Sequence, residues 1–167
     1  MESEREPKPV RHSQVTFART MSQLDANLNG NVHGGVIMRE VDSAAGTAAI
    51  RHCGRRSVVT AAIDELAFFE PVHLGDILVV HASVNDVGST SMEVGVRVEA
   101  EPIGGGDRRH TTSAYLVMVA LDDHEQPVPV PPLLAESDIE RRRQAEARLR
   151  REIRSERRAR LESSRQT

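Results

Sequence analysis

The stretch GGVIMREVDSAAGTAAIRH, residues 34–52, decides the fold that we predict from this sequence. Its apolar residues recur at the intervals of three and four that place side chains on one helical face, and they predict a helix of about five turns. They are Val36, Ile37, Val41, Ala44, Ala45, Ala48 and Ala49. Because alanine and Gly46 carry so little side chain, other elements can pack very close to this helix. The sequence therefore predicts a central helix inside the domain.

Strand patterns lie on both sides of the helix. Before it, Val15 and Phe17 share one face of a short alternating segment. After it come four strand-like segments, at residues 58–70, 77–87, 91–101 and 109–121, with Gly and Pro at the joints. We predict an α+β arrangement, in which one curved antiparallel five-stranded sheet wraps around the helix and the last four strands form a meander. One helix covers only part of such a sheet, so we expect self-association with strands pairing across a two-fold axis.

The two ends of the chain differ from the middle in composition. We predict a disordered leader at residues 1–11, a domain at 12–126, a Pro-rich linker at 127–135 and an Arg-rich helix and tail at 136–167. From Glu136 onward, 11 Arg face 7 acids, a local charge of +4, and the total of -3 leaves -7 on the remainder. An Arg-rich helix can bind nucleic acid, an acidic partner or a phosphorylated ligand. Its interspersed acids instead favour a solvated, internally paired surface, and we expect no nucleic-acid partner.

Composition also restricts the compartment and the chemistry. The single cysteine, Cys53, excludes an internal disulfide framework and a multi-cysteine zinc site, which is typical of a reducing compartment such as the cytoplasm. No apolar run approaches the ~20 residues that span a bilayer, so we expect no membrane span. The histidines lack metal-ligand spacing, and we assign no metal and no cofactor.

An aspartate, Asp42, stands about two turns into this apolar helix. A carboxylate in a buried stretch must be hydrogen-bonded, lie in a pocket or be protonated. One interpretation is a satisfied acid where the helix meets the sheet. The other, which we favour, is a general base or nucleophile whose pKa is tuned by partial burial.

The residues before Asp42 suggest what it would act on. Gly34 and Gly35 form either a tight turn or a helix start at which a ligand can approach free backbone N–H groups and the positive end of the helix dipole. Such groups polarise a carbonyl and stabilise its oxyanion. Asn27, Asn29 and Asn31 are either loop and capping residues or carboxamides that orient water or substrate, and spacing alone does not choose among the three. His33 is better explained as a positioning or packing residue than as an acid or base.

Three segments carry a resemblance to a known family: DANLNGNVHGGVIMREVDSAAGTAA (25–49), VVTAAIDELAFFEPVHLGD (58–76) and VGSTSMEVGVRVEAE (87–101). Through NxxGxxxGG, the helical acid and the FxxP and GD elements, the chain resembles the hotdog acyl-CoA thioesterases, and especially the cytosolic long-chain, brain-type hydrolases. The resemblance covers about residues 12–135, and the Pro-rich segment and charged C-terminal helix resemble the end of the same proteins.

This resemblance implies a sheet wrapped around a central helix, dimers that often assemble into hexamers, and hydrolysis of acyl-CoA to fatty acid and CoA. Asp42 then matches the catalytic acid, Asn27 the first Asn of the motif with Asn31 as its rival, and Gly35 the donor to the thioester carbonyl. The Asn and the acid would meet from opposite sides of a dimer interface. Brain-type enzymes divide these two residues between two hotdog domains, whereas this single domain holds both.

Coenzyme A carries phosphates, so the resemblance also implies cations or free N–H groups near the site. The predicted substrate-binding residues are Asn31, His33, Gly34, Arg55, Arg56, Thr60, Phe69, Gly88, Ser89, Thr90 and Ser91, with Arg141 and Arg142 as further candidates. Residues 88–91 are otherwise a hairpin turn. Many members of the family that the chain resembles place a basic residue where Glu70 follows Phe69, so the resemblance leaves the phosphate contacts at this position open.

Two other functions fit the same sequence. One is a non-catalytic acyl-CoA-binding or scaffold protein whose tail recruits an acidic partner. The other is a hotdog dehydratase acting on 3-hydroxyacyl thioesters, which needs a His and an acid and has only His33 near the glycine turn. Cys53 is a poor nucleophile candidate because no base is locally paired with it and a buried packing role is more common for such a thiol. Hydrolysis, with acyl-CoA as substrate and self-association as the partner interaction, is the function that we predict.

Overall fold

A five-stranded antiparallel sheet curves around helix α1 (Gly34–Cys53) in the computed structural model, which describes residues 6–54 and 57–165. The strands are β2 (Val15–Thr20), β3 (Val58–Phe68), β4 (Ile77–Val87), β5 (Ser91–Glu101) and β6 (Arg109–Ala120), in the order β2-β4-β5-β6-β3. The α+β prediction of one central helix and one five-stranded antiparallel sheet is confirmed.

The prediction that the last four strands form a meander is wrong for β3. Strands β4, β5 and β6 do follow one another, but β3 pairs with β6 and forms an edge of the sheet. The connection between β3 and β4 has eight residues, 69–76, and contains Pro71 rather than a two-residue hairpin turn. Eight extended residues reach up to about 26 Å, which exceeds the ~15 Å across three strand spacings.

Helix α1 packs against the sheet through its smallest side chains. Ala44, Ala45, Ala48 and Ala49 are fully buried, against a sheet face that includes Val80, Val94 and Leu116. Methyl groups allow the helix axis to lie close to the strands. The helix ends at Gly54, whose φ of 70° is left-handed and whose N–H donates to the Ile50 carbonyl.

The two terminal segments pack against each other. Strand β1 (Lys8–Pro9) pairs in parallel with β7 (Leu133–Leu134), and a 3-10 turn follows at Val10–His12. The disordered leader is therefore wrong from Lys8 onward, because the Pro-rich segment offers it a strand partner. His52, fully buried at the end of α1, contacts the Pro131 carbonyl at 2.9 Å through Nε2, and Lys8 donates to the His52 carbonyl at 2.7 Å.

Helix α2 (Asp138–Ser164) packs on the sheet face opposite α1. Arg150 donates to Glu93 Oε1 at 2.7 Å and lies 3.7 Å from the centre of the Tyr115 ring, and Arg151 pairs with Asp86 at 2.7 Å. Arg154 pairs with Asp64 of β3. The expected solvated surface is wrong for this half of the helix, because buried acids of the sheet supply its partners. From residue 155 to 165 the tail is exposed, as expected.

Candidate active site

Asp42 lies on the side of α1 that turns away from the sheet. Its neighbours Val41 and Ala44 are buried, whereas Asp42 itself is exposed in the single chain. The partial burial that we expected is therefore wrong for the isolated chain, because a helical residue next to a core position points about 100° away from it. The Asp42 carboxylate is nevertheless held, since the Thr60 hydroxyl donates to its Oδ1 at 2.6 Å.

Thr60 stands at an irregularity in the edge strand β3. The pairing with β6 shifts between Thr60 and Ala62, so that Ala61 has no partner of its own in the β6 register. A bulge of this kind re-aims the neighbouring side chains. The Thr60 hydroxyl also lies 3.5 Å from Met118 Sδ of β6. Thr60 therefore joins the edge of the sheet to the exposed side of α1.

Exposed apolar side chains continue along the two elements that carry this pair. Met38 and Ile50 of α1 and Val59, Ile63 and Phe68 of β3 are each about two-fifths or more exposed. A protein of this size rarely leaves such residues together on one surface without a use for them. This surface suits either an apolar ligand or a second subunit that pairs with the edge of β3.

His33 caps the start of α1. Its ring Nδ1 accepts a hydrogen bond from Gly35 N–H at 2.8 Å, which places the proton of a neutral ring on Nε2. Gly35 N–H, expected to be open to a substrate carbonyl, thus already has an acceptor. The geometry explains His33 as a helix cap, in line with the positioning role that we expected. A Cβ at Gly34 would lie 3.6 Å from the Phe68 ring, so this glycine lies beside the apolar surface.

Asn27 and Asn31 make different hydrogen bonds in the loop before α1. Asn27 Oδ1 accepts from the N–H groups of Asn29, at 2.8 Å, and Asn31, at 3.1 Å, and so shapes the loop. Asn31 contacts His73 Nδ1 at 3.1 Å through its own Oδ1. Within the described residues, neither asparagine shares a hydrogen bond with Asp42. The single chain therefore does not bring together the predicted Asn and acid.

An ion-paired carboxylate, Asp25, secures the base of this loop. The Ser22 backbone N–H donates to it at 2.7 Å and lowers its pKa, and Arg19 lowers that pKa further from 2.6 Å. Arg19 also donates to Glu40 of α1 at 3.0 Å. The loop that carries Asn27 is thereby attached both to strand β2 and to the helix of Asp42.

Arg109 is a cation that the sequence reasoning missed. It pairs with Glu70 and with Asp76, each at 3.0 Å, beside the exposed Phe69, whose ring lies 5.0 Å from that of His110. Glu70 is thus paired with a cation from β6. No local signal marks Arg109, because its partners lie more than thirty positions earlier in the sequence.

The predicted phosphate-binding residues are scattered. Residues 88–90 connect β4 to β5, which begins at Ser91. The Gly88 N–H donates to the Ser91 carbonyl at 2.7 Å, and the Arg151 guanidinium carbon lies 3.9 Å from a Cβ built on Gly88. Arg141 pairs with Asp138 and Arg142 with Glu146, both on α2 and thus across the sheet from Asp42. Arg55 and Arg56 lie outside the described residues.

The described residues contain neither a metal-binding cluster nor a membrane-spanning helix. No group of three or more His, Cys, Asp or Glu side chains within residues 6–54 and 57–165 is arranged to hold a metal ion. Neither described helix combines the length and apolar character that crossing a membrane requires.

Comparison with known proteins identifies the family. The profile of the thioesterase superfamily matches residues 29–106. An uncharacterized acyl-CoA thioester hydrolase of Bacillus subtilis, YkhA, is 36% identical over 135 residues, which cover 81% of this chain and 78% of that protein. This chain belongs to the thioesterase superfamily. Among longer relatives, the rat cytosolic acyl coenzyme A thioester hydrolase is 34% identical over 140 residues, and this thioesterase-superfamily chain spans about a third (36%) of its length.

Solved thioesterase structures show the same fold. A crystal structure of an apo-hexameric acyl-CoA thioesterase superposes with a TM-score of 0.89 at 35% identity, covering 92% of this chain and 98% of that one. The acyl-CoA hydrolase of Staphylococcus aureus, in complex with butyryl coenzyme A and coenzyme A, gives 0.86 at 32% identity over 94% and 95% of the two chains. That hydrolase has also been solved with an Asn, an Asp or a Thr replaced by Ala. The hotdog fold that the resemblance implied is confirmed.

Proposed function

We propose that this protein hydrolyses fatty acyl-CoA thioesters, of medium to long chain, to free fatty acid and CoA, without a metal ion. The observation that carries the proposal is the hydrogen bond from Thr60 to Asp42 on an exposed, apolar surface. A hydrogen-bonded carboxylate beside apolar side chains suits a substrate with a reactive carbonyl and a hydrocarbon tail. The named relatives and the Asp and Thr variants of the S. aureus hydrolase support the same assignment.

In the first route, Asp42 acts as a general base. The carboxylate takes a proton from water while the water oxygen attacks the thioester carbonyl carbon, and a tetrahedral oxyanion forms. The C–S bond then breaks, the CoA thiolate leaves and takes up a proton, and the fatty acid remains. The Thr60 hydroxyl occupies one Asp42 oxygen and leaves the other for the water.

In the second route, Asp42 is the nucleophile. A carboxylate oxygen attacks the same carbon, CoA leaves as the thiolate, and water hydrolyses the resulting mixed anhydride to regenerate Asp42. Both routes need a donor to the developing oxyanion, and Gly35 N–H is our candidate. The substrate oxygen would replace His33 Nδ1 as the acceptor of this N–H, since the two compete for one donor.

The partner in catalysis is a second copy of the chain. Asn27 would position the nucleophile or the substrate from the other side of a dimer interface, so that a homodimer would own two sites, each with Asp42 from one subunit. The edge of β3 and its exposed apolar residues support such an interface, and the hexameric thioesterase structure supports assembly of these dimers into a hexamer. We place the enzyme in the cytoplasm, as the name of its mammalian relatives suggests.

The test is release of free CoA thiol from a series of acyl-CoA substrates, from acetyl-CoA to palmitoyl-CoA. We expect turnover that rises toward medium and long chains and falls about 10²–10⁴-fold in Asp42→Ala. Asp123→Ala, which removes an exposed loop carboxylate, is the matched control and should keep full activity. Tight calorimetric binding of palmitoyl-CoA without thiol release would instead support a binding or scaffold protein.

A further inference from the structure

A polar cavity lies on the outer face of the sheet, beneath the first half of α2. Its volume is about 430 Å³, within the range of small-molecule sites. Strands β2, β4, β5 and β6 form the floor, and α2 forms one wall through Arg142, Arg143 and Glu146. The cavity shares no residue with the region around Asp42, which lies across the sheet.

The floor is built from polar residues in register. Thr16, His81, Arg97 and Ser113 face one another in a single row across the four strands. Ser83, Gly95 and Tyr115 form the next row. These residues point away from α1, because their neighbours along each strand point into the core and side chains alternate. The outer face of a covered sheet thus presents hydrogen-bonding groups in an ordered array.

Two largely buried residues, Ser83 and Asn85, line the cavity with polar atoms that have no partner among the described residues. Ser83 is 8% exposed, and its hydroxyl has no hydrogen-bond partner in the described part of the chain. Asn85 is 5% exposed, and its Nδ2 donates to Glu93 at 3.3 Å, while its Oδ1 has no donor within residues 6–54 and 57–165. A Cβ at Gly95 would lie 2.5 Å from Asn85 Nδ2, so only glycine leaves room for this carboxamide. Both residues line the cavity, so these polar atoms are open to a ligand bound there.

The charge of the cavity wall is positive. Three guanidinium groups, of Arg97, Arg142 and Arg143, line it against one carboxylate, Glu146. Arg142 pairs with Glu146 at 2.7 Å, and Arg97 with Glu99 at 2.9 Å. Arg143 has no acidic partner among the described residues. One guanidinium is therefore free to bind an anion, and two more lie beside it.

We propose that this cavity binds a small organic phosphate, of mononucleotide size or less. Guanidinium groups match the oxygens of a phosphate in pairs, and a phosphate offers more acceptor oxygens than a carboxylate does. The serine and threonine hydroxyls and the Asn85 carboxamide complete the site for the hydroxyl and amide groups of such a ligand. This binding does not depend on thioester hydrolysis.

The experiment is calorimetric titration of the full chain with inorganic pyrophosphate, and then with ADP. We expect saturable binding that weakens at least about tenfold in Arg143→Ala, the loss of one charge-assisted contact. Arg157→Ala removes an exposed arginine of the same helix outside the cavity and should bind as the unmodified protein does. Ser83→Asp, checked for folding by its melting temperature, should abolish binding because it places a carboxylate in the floor.

Three results would overturn the proposal. The first is the absence of binding heat for both probes, as expected if a segment of a second copy fills the cavity. The second is equal weakening by Arg143→Ala and Arg157→Ala, which indicates attraction to the charged helix as a whole. The third is undiminished binding in a folded Ser83→Asp protein, which would place the phosphate elsewhere.

Discussion

The Thr60 hydroxyl lies 2.6 Å from Asp42 Oδ1 and donates a hydrogen bond to it, joining the edge strand β3 to the central helix. The two residues are eighteen positions apart, on elements of different kinds. The bulge at Ala61 turns the strand at this point, and the exposed side of α1 presents the acid to it. The orientation of the proposed catalytic carboxylate therefore depends on a contact between the helix and the sheet.

This contact predicts the effect of changing Thr60. Thr60→Val keeps the shape of the side chain but removes the donor, and we expect kcat for acyl-CoA hydrolysis to fall about 10–100-fold with KM nearly unchanged, since the carboxylate loses its orientation. Steady-state thiol release measures both constants. Thr60→Ser keeps the donor and should retain most of the activity. A fully active Thr60→Val protein would remove Thr60 from the mechanism.

Substitutions at Asn27 and Asn31 can show which of the two asparagines takes part in catalysis. At Asn27 the useful change removes the amide donor and keeps the oxygen acceptor. Asn27→Asp keeps an oxygen that accepts from the N–H groups of Asn29 and Asn31, so the loop should stay folded, but it loses the amide donor. We expect turnover to fall at least about tenfold in Asn27→Asp. Asn31→Ala loses only the contact to His73 and should stay within about threefold of the starting activity. The reverse order of effects in the thiol-release assay would make Asn31 the catalytic residue.

The ion pair beneath α2 should contribute to stability. Glu93 is 4% exposed and accepts from Arg150 through both of its oxygens. Arg150→Ala leaves this carboxylate buried without its main cation, and we expect a loss of about 2–4 kcal/mol in the free energy of unfolding. Urea denaturation followed by circular dichroism measures the loss.

Arg158→Ala is the control for that experiment. Arg158 pairs with Glu162 on the exposed end of the same helix, where water and salt screen the charges. Its substitution should leave the denaturation midpoint unchanged. If both variants shift the midpoint equally, the contribution of Arg150 lies in the helix itself and not in its contact with the sheet.

Burial of His52 makes stability depend on pH. Burial lowers the pKa of His52 below its ordinary value of 6.5, so the folded state keeps the ring neutral where the unfolded state takes up a proton. The unfolded state then binds more protons as the pH falls below 6.5, and stability declines in that direction. We expect the urea midpoint to be level above neutral pH and to decrease toward about pH 5.

A variant without the titrating ring isolates this effect. His52→Gln can still donate to the Pro131 carbonyl and has no proton to gain. We expect its urea midpoint to decline less steeply over the same pH range. Identical slopes for the two proteins would assign the acid sensitivity to other groups.

Much of the fold was predictable because its signals are local. The alanine-rich face of residues 34–52 requires close burial, and the alternation of Val94, Val96 and Val98 requires a half-buried strand. Candidate site residues such as Asp42 and Gly35 also stand out locally, as an acid and a glycine where helices rarely place them. Two features were not predictable, because each depends on partners distant in sequence: the pairing of β3 with β6, and the regular secondary structure of residues 8–11.

The sequence by itself determined the central helix, the five strands, the family and the residues that could carry chemistry. Only the tertiary structure decided that Asp42 is exposed and accepts a hydrogen bond from Thr60. It also decided that the Gly35 N–H donates to the His33 ring and that arginines of α2 pair with acids of the sheet. The physical reason is the sequence distance over which each kind of interaction acts. Periodicity and composition act over a few residues along the chain, whereas hydrogen bonds and ion pairs depend on distances across the fold that no local pattern encodes.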